Sequence, residues 1–209
     1  MKRLGWALAL LLALVGAVTI AAAVEVLRAG IGARVEPSRL EATIARTMRS
    51  LAIPGEARRL QNPVARTNDV IADGRAHFAD HCASCHANDG SGDTEMGRNL
   101  SPRAPDMRLA ATQQLSDGEL FYIIENGIRL TGMPAWGTGT KEGETSSWHL
   151  VHFIRRLPEL SPAELEEMAA MNPRSAAEWR EEEEIRRFLE GEGGPSRAAP
   201  SRHEHGGHE

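Results

Sequence analysis

Cys82-Ala83-Ser84-Cys85-His86 is the stretch that decides how this 209-residue chain is read. It holds the only two cysteines, three positions apart, with a histidine directly after the second. On a helical turn, positions i, i+3 and i+4 lie on one face. Two thiols can then add to the two vinyl groups of one porphyrin, and the imidazole points at the metal from the same side. C-x-x-C-H is the signature of covalent c-type haem attachment, and one motif implies one haem c. Cys82 and Cys85 would form the thioethers, and His86 would be the proximal ligand. Two other readings of the pair are weaker. A thioredoxin-like redox pair wants a strand–helix–strand setting, and none surrounds it. A structural zinc site wants four ligands at regular spacing. His77 and His81 lie nearby, but there is no second C-x-x-C.

Composition narrows the classes further. The chain has 24 basic and 29 acidic residues, a formal charge of −5. Nucleic-acid binders usually show a basic footprint, so nucleic acid is not expected as a partner. Lys2 and Lys141 are the only lysines. Both cysteines sit in one motif, which leaves none for a structural disulfide. The core must rest on apolar packing and on the porphyrin, which also fills volume that the sparse aromatic side chains do not.

Upstream of the motif, Lys2 and Arg3 precede an uncharged run from Leu4 to Val24. A helix of this length spans roughly the ~30 Å hydrocarbon core of a bilayer. Positive charge at its start places the N-terminus in the cytoplasm and the rest outside. Ala21-Ala22-Ala23 offers a small-residue cleavage site, but the run is long for a signal peptide. The length favours an uncleaved anchor over residues 1–27, and either reading exports the remainder. Residues 28–68 read as a spacer. Within it, Ser38-x-x-Glu41 is a capping box, and Leu40, Ile44, Met48 and Leu51 follow at helical spacing. Pro54-Gly55 ends that helix.

Asp69 to His86 is expected to be one helix, with Val70, Gly74, Phe78 and Cys82 repeating every four residues. A glycine inside a helix costs up to ~1 kcal/mol against alanine, so Gly74 calls for close approach of another helix. Residues 87–115 read as a wrapping loop with little regular structure. Ser116-x-x-Glu119 starts a further helix, which stops at Asn126-Gly127. Gly132-Met133-Pro134 follows, where the proline pushes Met133 toward an extended backbone. This loop presents one methionine, and Met133 is read as the distal ligand. Met96 and Met107, in the wrapping loop, stay open as alternatives.

Thr145–Leu157 is expected to be a helix with an apolar face of Leu150, Phe153, Ile154 and Leu157. It is the natural partner for Gly74 and Phe78. His77, His81, His149 and His152 read as exposed or hydrogen-bonded residues rather than ligands. Ser161-Pro162 and Ser175-x-x-Glu178 open two more helices in a C-terminal extension over 159–190. Residues 191–209, with His203, His205 and His208, read as a disordered His-rich tail.

The segment 69–158, with its haem motif at 82–86, its Gly-Met-Pro loop at 132–134 and its helix around Trp148, resembles a small class I monohaem cytochrome c domain. The resemblance covers under half of the chain. It implies an all-α fold whose first and last helices cross, with the haem in a crevice. It also implies the same four residues at the haem: Cys82, Cys85, His86 and Met133. The whole looks like a membrane-anchored bacterial member with added flanking helices. The expected function is one-electron transfer between respiratory-chain partners at the outer face of the cytoplasmic membrane, facing the periplasm or cell exterior, and not catalysis. The rival classes, a haem-based redox or gas sensor and a small peroxidase, need a labile sixth ligand.

Overall fold

A computed structural model of the chain describes residues 2–29, 32, 37–174 and 176–190. The His-rich tail and Ser175 lie outside the described residues. Every element among the described residues is helical, with no strand, so the fold is all-α.

α1 spans Lys2–Ala29, and its stretch Arg3–Glu25 is long and apolar enough to cross a membrane. α2 spans Arg39–Ala52, and the Ser38 hydroxyl caps it by accepting from the Glu41 amide at 3.2 Å. Its apolar side chains Leu40, Ile44, Met48 and Leu51 are exposed.

Burial begins just after α2. Ile53 and Ala57 are both buried, the latter on the short α3, Gly55–Arg59. α3 seats on α8, Asp117–Asn126, where a Cβ on Gly118 would collide with the Ala57 carbonyl. The Ser116 hydroxyl donates to the Arg58 carbonyl at 3.0 Å, and the Asn62 amide donates to the Trp148 carbonyl at 3.0 Å. The packed body therefore reaches back to residue 53, beyond the stretch that carries the haem signature.

The centre of the body is the crossing of α4, Asn68–His77, with α9, Lys141–Arg156. Gly74 makes that crossing possible. A Cβ there would run into the His149 carbonyl and sit 3.0 Å from the Phe153 Cβ. Phe78 and Phe153 pack their rings 5.2 Å apart, and both are fully buried beside Val151. α9 starts four residues earlier than its apolar face suggests, because Thr140 caps it by accepting from the Gly143 amide at 3.1 Å. α8 and α10, Pro162–Met171, both open on complete capping boxes, at Ser116/Glu119 and Ser161/Glu164. α10 buries Met168 completely, and Arg75 of α4 pairs with Glu167 at 2.6 Å.

Two expectations need correction. The helix expected over 69–86 is not continuous. α4 passes into a π-helical turn, Phe78–Cys82, and then into α5, Ala83–His86. The wrapping loop also holds two short helices, α6, Glu95–Asn99, and α7, Ala110–Gln113. Their few, mostly polar residues carry no apolar periodicity to read. Beyond residue 172 the chain forms a separate unit. Its helix α11, Ala176–Leu189, carries an Arg187–Glu183 ion pair at 2.6 Å, and Arg174 lies over the Trp179 ring.

Candidate haem-binding site

Cys82, Cys85 and His86 occupy the last residue of the π turn and the end of α5, all three half-buried, with both thiols free. Burial pushes the Cys82 thiol up to about 12, with the neighbouring Cys85 adding to the effect. The thiolate is the form that attacks disulfides, so a thiol held protonated is poorly suited to redox exchange. His86 is pushed below the ordinary histidine value, chiefly by burial, with the Pro105 carbonyl partly opposing. Its imidazole is therefore neutral at pH 7. Its Nδ1 is buried and has no partner in hydrogen-bonding geometry.

A tight backbone clasp holds this turn. Ala87, directly after His86, sits at φ 59° and ψ 158°, a region that side chains other than glycine's rarely adopt. The chain then folds back, so that the Gly92 amide donates to the His86 carbonyl at 2.8 Å. The Thr94 hydroxyl bonds the Ser84 carbonyl at 2.8 Å and accepts from the Gly97 amide at 2.8 Å, capping α6. A Cβ on Gly97 would strike the Cys85 carbonyl, so α6 can lie on the attachment turn only with glycine there. Asp89 and Asp106 converge on Arg108, at 2.7 and 2.8 Å, and close the base of the loop.

The methionine loop is built differently. Gly127, at φ 65°, ends α8, and its amide donates to the Ile123 carbonyl. The Ile128 amide donates to the Met133 carbonyl at 3.1 Å, and the Met133 amide donates to the Thr131 hydroxyl at 3.1 Å. Past Pro134, the Trp136 amide donates to the Ile124 carbonyl at 3.0 Å. Both feet of the loop thus stand on the end of α8, and Met133 is half-buried between them. Of the other loop methionines, Met107 is a core residue at 7% exposure, while Met96 is exposed with its sulfur 3.3 Å from Cys85 Sγ.

The family model described as cytochrome C oxidase, cbb3-type, subunit III, matches residues 69–154. This segment is a c-type cytochrome domain. No curated protein matches the sequence. The residues of the cytochrome domain fit a covalently held haem. They provide two thiols that are not joined in a disulfide, a neutral imidazole on the same turn and a soft thioether on a loop.

His152 and His149 fall where satisfied polar residues belong. His152 is buried against the Val64 carbonyl at 2.8 Å, and His149 faces Asp73 at 3.6 Å. Among the described residues, no group of three or more His, Cys, Asp or Glu side chains could hold a metal ion. Sequence reasoning missed the ring of Trp136, which stacks on His81 at 5.3 Å and 12°. It also missed Thr94 and Gly97. A glycine three residues after a capping threonine was the available signal at that site.

Proposed function

We propose that the chain is a membrane-anchored one-electron carrier with a single haem c. Cys82 and Cys85 hold the haem by thioethers, His86 is the proximal ligand and Met133 the distal one. When bound, haem supplies a one-electron couple. The observation that carries this reading is that a half-buried, neutral His86 on the attachment turn is joined in one domain by a methionine loop pinned by its own backbone bonds. With both residues engaged, the chain leaves no open position for a substrate. A thioether ligand and burial favour a high reduction potential. α1 acts as the anchor, with the haem domain on the outer side of the cytoplasmic membrane. The matched family's description names an oxidase subunit, which supports membrane-bound respiratory complexes as the partners. The stretch 87–140 carries seven acidic residues and four arginines, which favours a partner face that is not itself strongly acidic.

The optical spectrum of the oxidised protein tests the ligand set. A low-spin spectrum with a weak far-red charge-transfer band, lost in Met133→Ala together with a fall in midpoint potential, is expected. A high-spin resting spectrum would overturn the carrier reading in favour of a sensor or peroxidase with a labile sixth position.

A further inference from the structure

The two halves of the site are held by different means. The attachment turn is clasped by the 90–107 loop, whereas the backbone bonds described for the methionine loop run to α8. A ring contact bridges them. Trp136, three residues after Met133, stacks on His81, which directly precedes Cys82. Neither ring is placed there loosely. The Trp136 backbone is fixed by its bond to the Ile124 carbonyl, and its ring packs against the buried core. His81 sits within the π-helical turn, its Nδ1 is 3.0 Å from Asp80 Oδ2, and the edge of the His77 ring meets it at 5.0 Å between centroids. The Trp136 ring thus continues a row of three rings that starts on α4.

We infer that the His81–Trp136 stack is a positioning device that latches the methionine loop to the haem-attachment turn and so keeps Met133 in place as sixth ligand. The inference rests on the Met133 assignment proposed above. Neither ring touches the metal. Each acts by limiting how far the loop can swing from the turn. Gly132 adds a second abutment, since a Cβ there would press on the half-buried side chain of Leu100. The loop's internal bonds, from the Ile128 amide to the Met133 carbonyl and from the Met133 amide to the Thr131 hydroxyl, preserve its shape but not its distance from His86. Without the stack, the loop would hinge as a body about its feet on α8.

Competition by exogenous imidazole for the sixth position of the ferric full-length protein in detergent tests this, because a ligand held less firmly is displaced more readily. Trp136→Ala and His81→Ala are each expected to bind imidazole roughly three- to tenfold more tightly than wild type, the range set by one aromatic contact. Trp136→Phe, which keeps a ring, should stay near wild type. In the double variant the two effects should not add, since either change alone removes the stack. Covalent haem on a denaturing gel and an unchanged helical circular-dichroism spectrum exclude simple misfolding as the cause. Single variants that bind imidazole like wild type, or effects that add in full, would overturn the latch. If the far-red band is already missing in wild type, or survives in Met133→Ala, the ligand assignment itself fails and the latch with it. A failed latch alone would leave that band present in wild type and lost in Met133→Ala.

Discussion

Two glycines, Gly74 in the α4–α9 crossing and Gly127 at the foot of the methionine loop, meet nearly the same steric problem in very different surroundings. At Gly74 a Cβ would strike the backbone of a second helix that is itself packed around Phe78, Phe153 and Val151. At Gly127 a Cβ would meet Met133 O, Pro134 C and Ala135 N at 2.6–2.7 Å, and all three belong to one loop. The first clash opposes the whole core. The second opposes only a segment that can swing. The proposed haem site therefore joins a rigid wall, which carries the attachment turn, to a compliant one, which carries the methionine loop.

The sharpest way to break this contrast is to fill both positions with the same methyl group. Gly74→Ala should lower unfolding stability by about 3 kcal/mol, near the top of the range for overpacking a core, as read from urea denaturation. Gly127→Ala adds a residue with φ above zero as well as a clash, and should cost about 1–2 kcal/mol. Its far-red band should weaken, while the helical signal stays. Equal losses of stability, or loss of helix in both, would erase the distinction between the walls.

Ala87→Gly probes the clasp on the rigid side. Its φ of 59° with ψ 158° suits glycine. Relief of about 1–3 kcal/mol of strain, set against glycine's entropy of about 0.5–1 kcal/mol, leaves a net gain of about 1 kcal/mol in denaturation experiments.

The smallest effect concerns His77, beside the rigid wall. Burial lowers its pKa most, His81 and His149 lower it further, and only Asp80 opposes them. Asp73 also lines the groove it shares with His149. A histidine held below its unfolded value of about 6.5 binds fewer protons when folded. Its contribution is therefore complete above that pH and is lost as the pH falls through it toward the lower folded value. Comparing urea midpoints at pH 7.5 and 5.5, wild type should lose more stability than His77→Gln. An identical loss in both would show that the ring titrates as freely as in the unfolded chain.

Much of the rigid wall was legible in the residues. Cys82, Cys85 and His86 announce themselves by spacing, and Gly74 points to a crossing because a helix-interior glycine needs a reason. Ser116, Ser161 and Pro162 mark helix starts through capping chemistry that is local to the sequence. The π turn was also written there, although it was read as ordinary helix. An α-helix advances about 100° per residue, so an apolar repeat of strictly four residues drifts by about 40° at each step. Val70, Gly74, Phe78 and Cys82 hold that repeat through three steps, and a wider turn at 78–82 absorbs part of the drift. The His81–Trp136 stack was not legible. It depends on where α8 delivers the loop in space, and no local pattern encodes a contact across 55 positions (136 minus 81).

The seat of residues 53–64 on α8 and α9 has a consequence for diffusion. Because the chain is fastened there, its free length toward the proposed anchor is short. α2 is about 21 Å long at 1.5 Å per residue, and residues 30–38 reach at most about 30 Å when fully extended. Under the proposed anchoring, a haem domain on a leash of roughly 50 Å would search a thin shell above the bilayer, where short tethers give partners effective concentrations in the millimolar range. Encounter with the proposed membrane-bound partner would then be supplied by confinement, and the docking face itself would need little affinity.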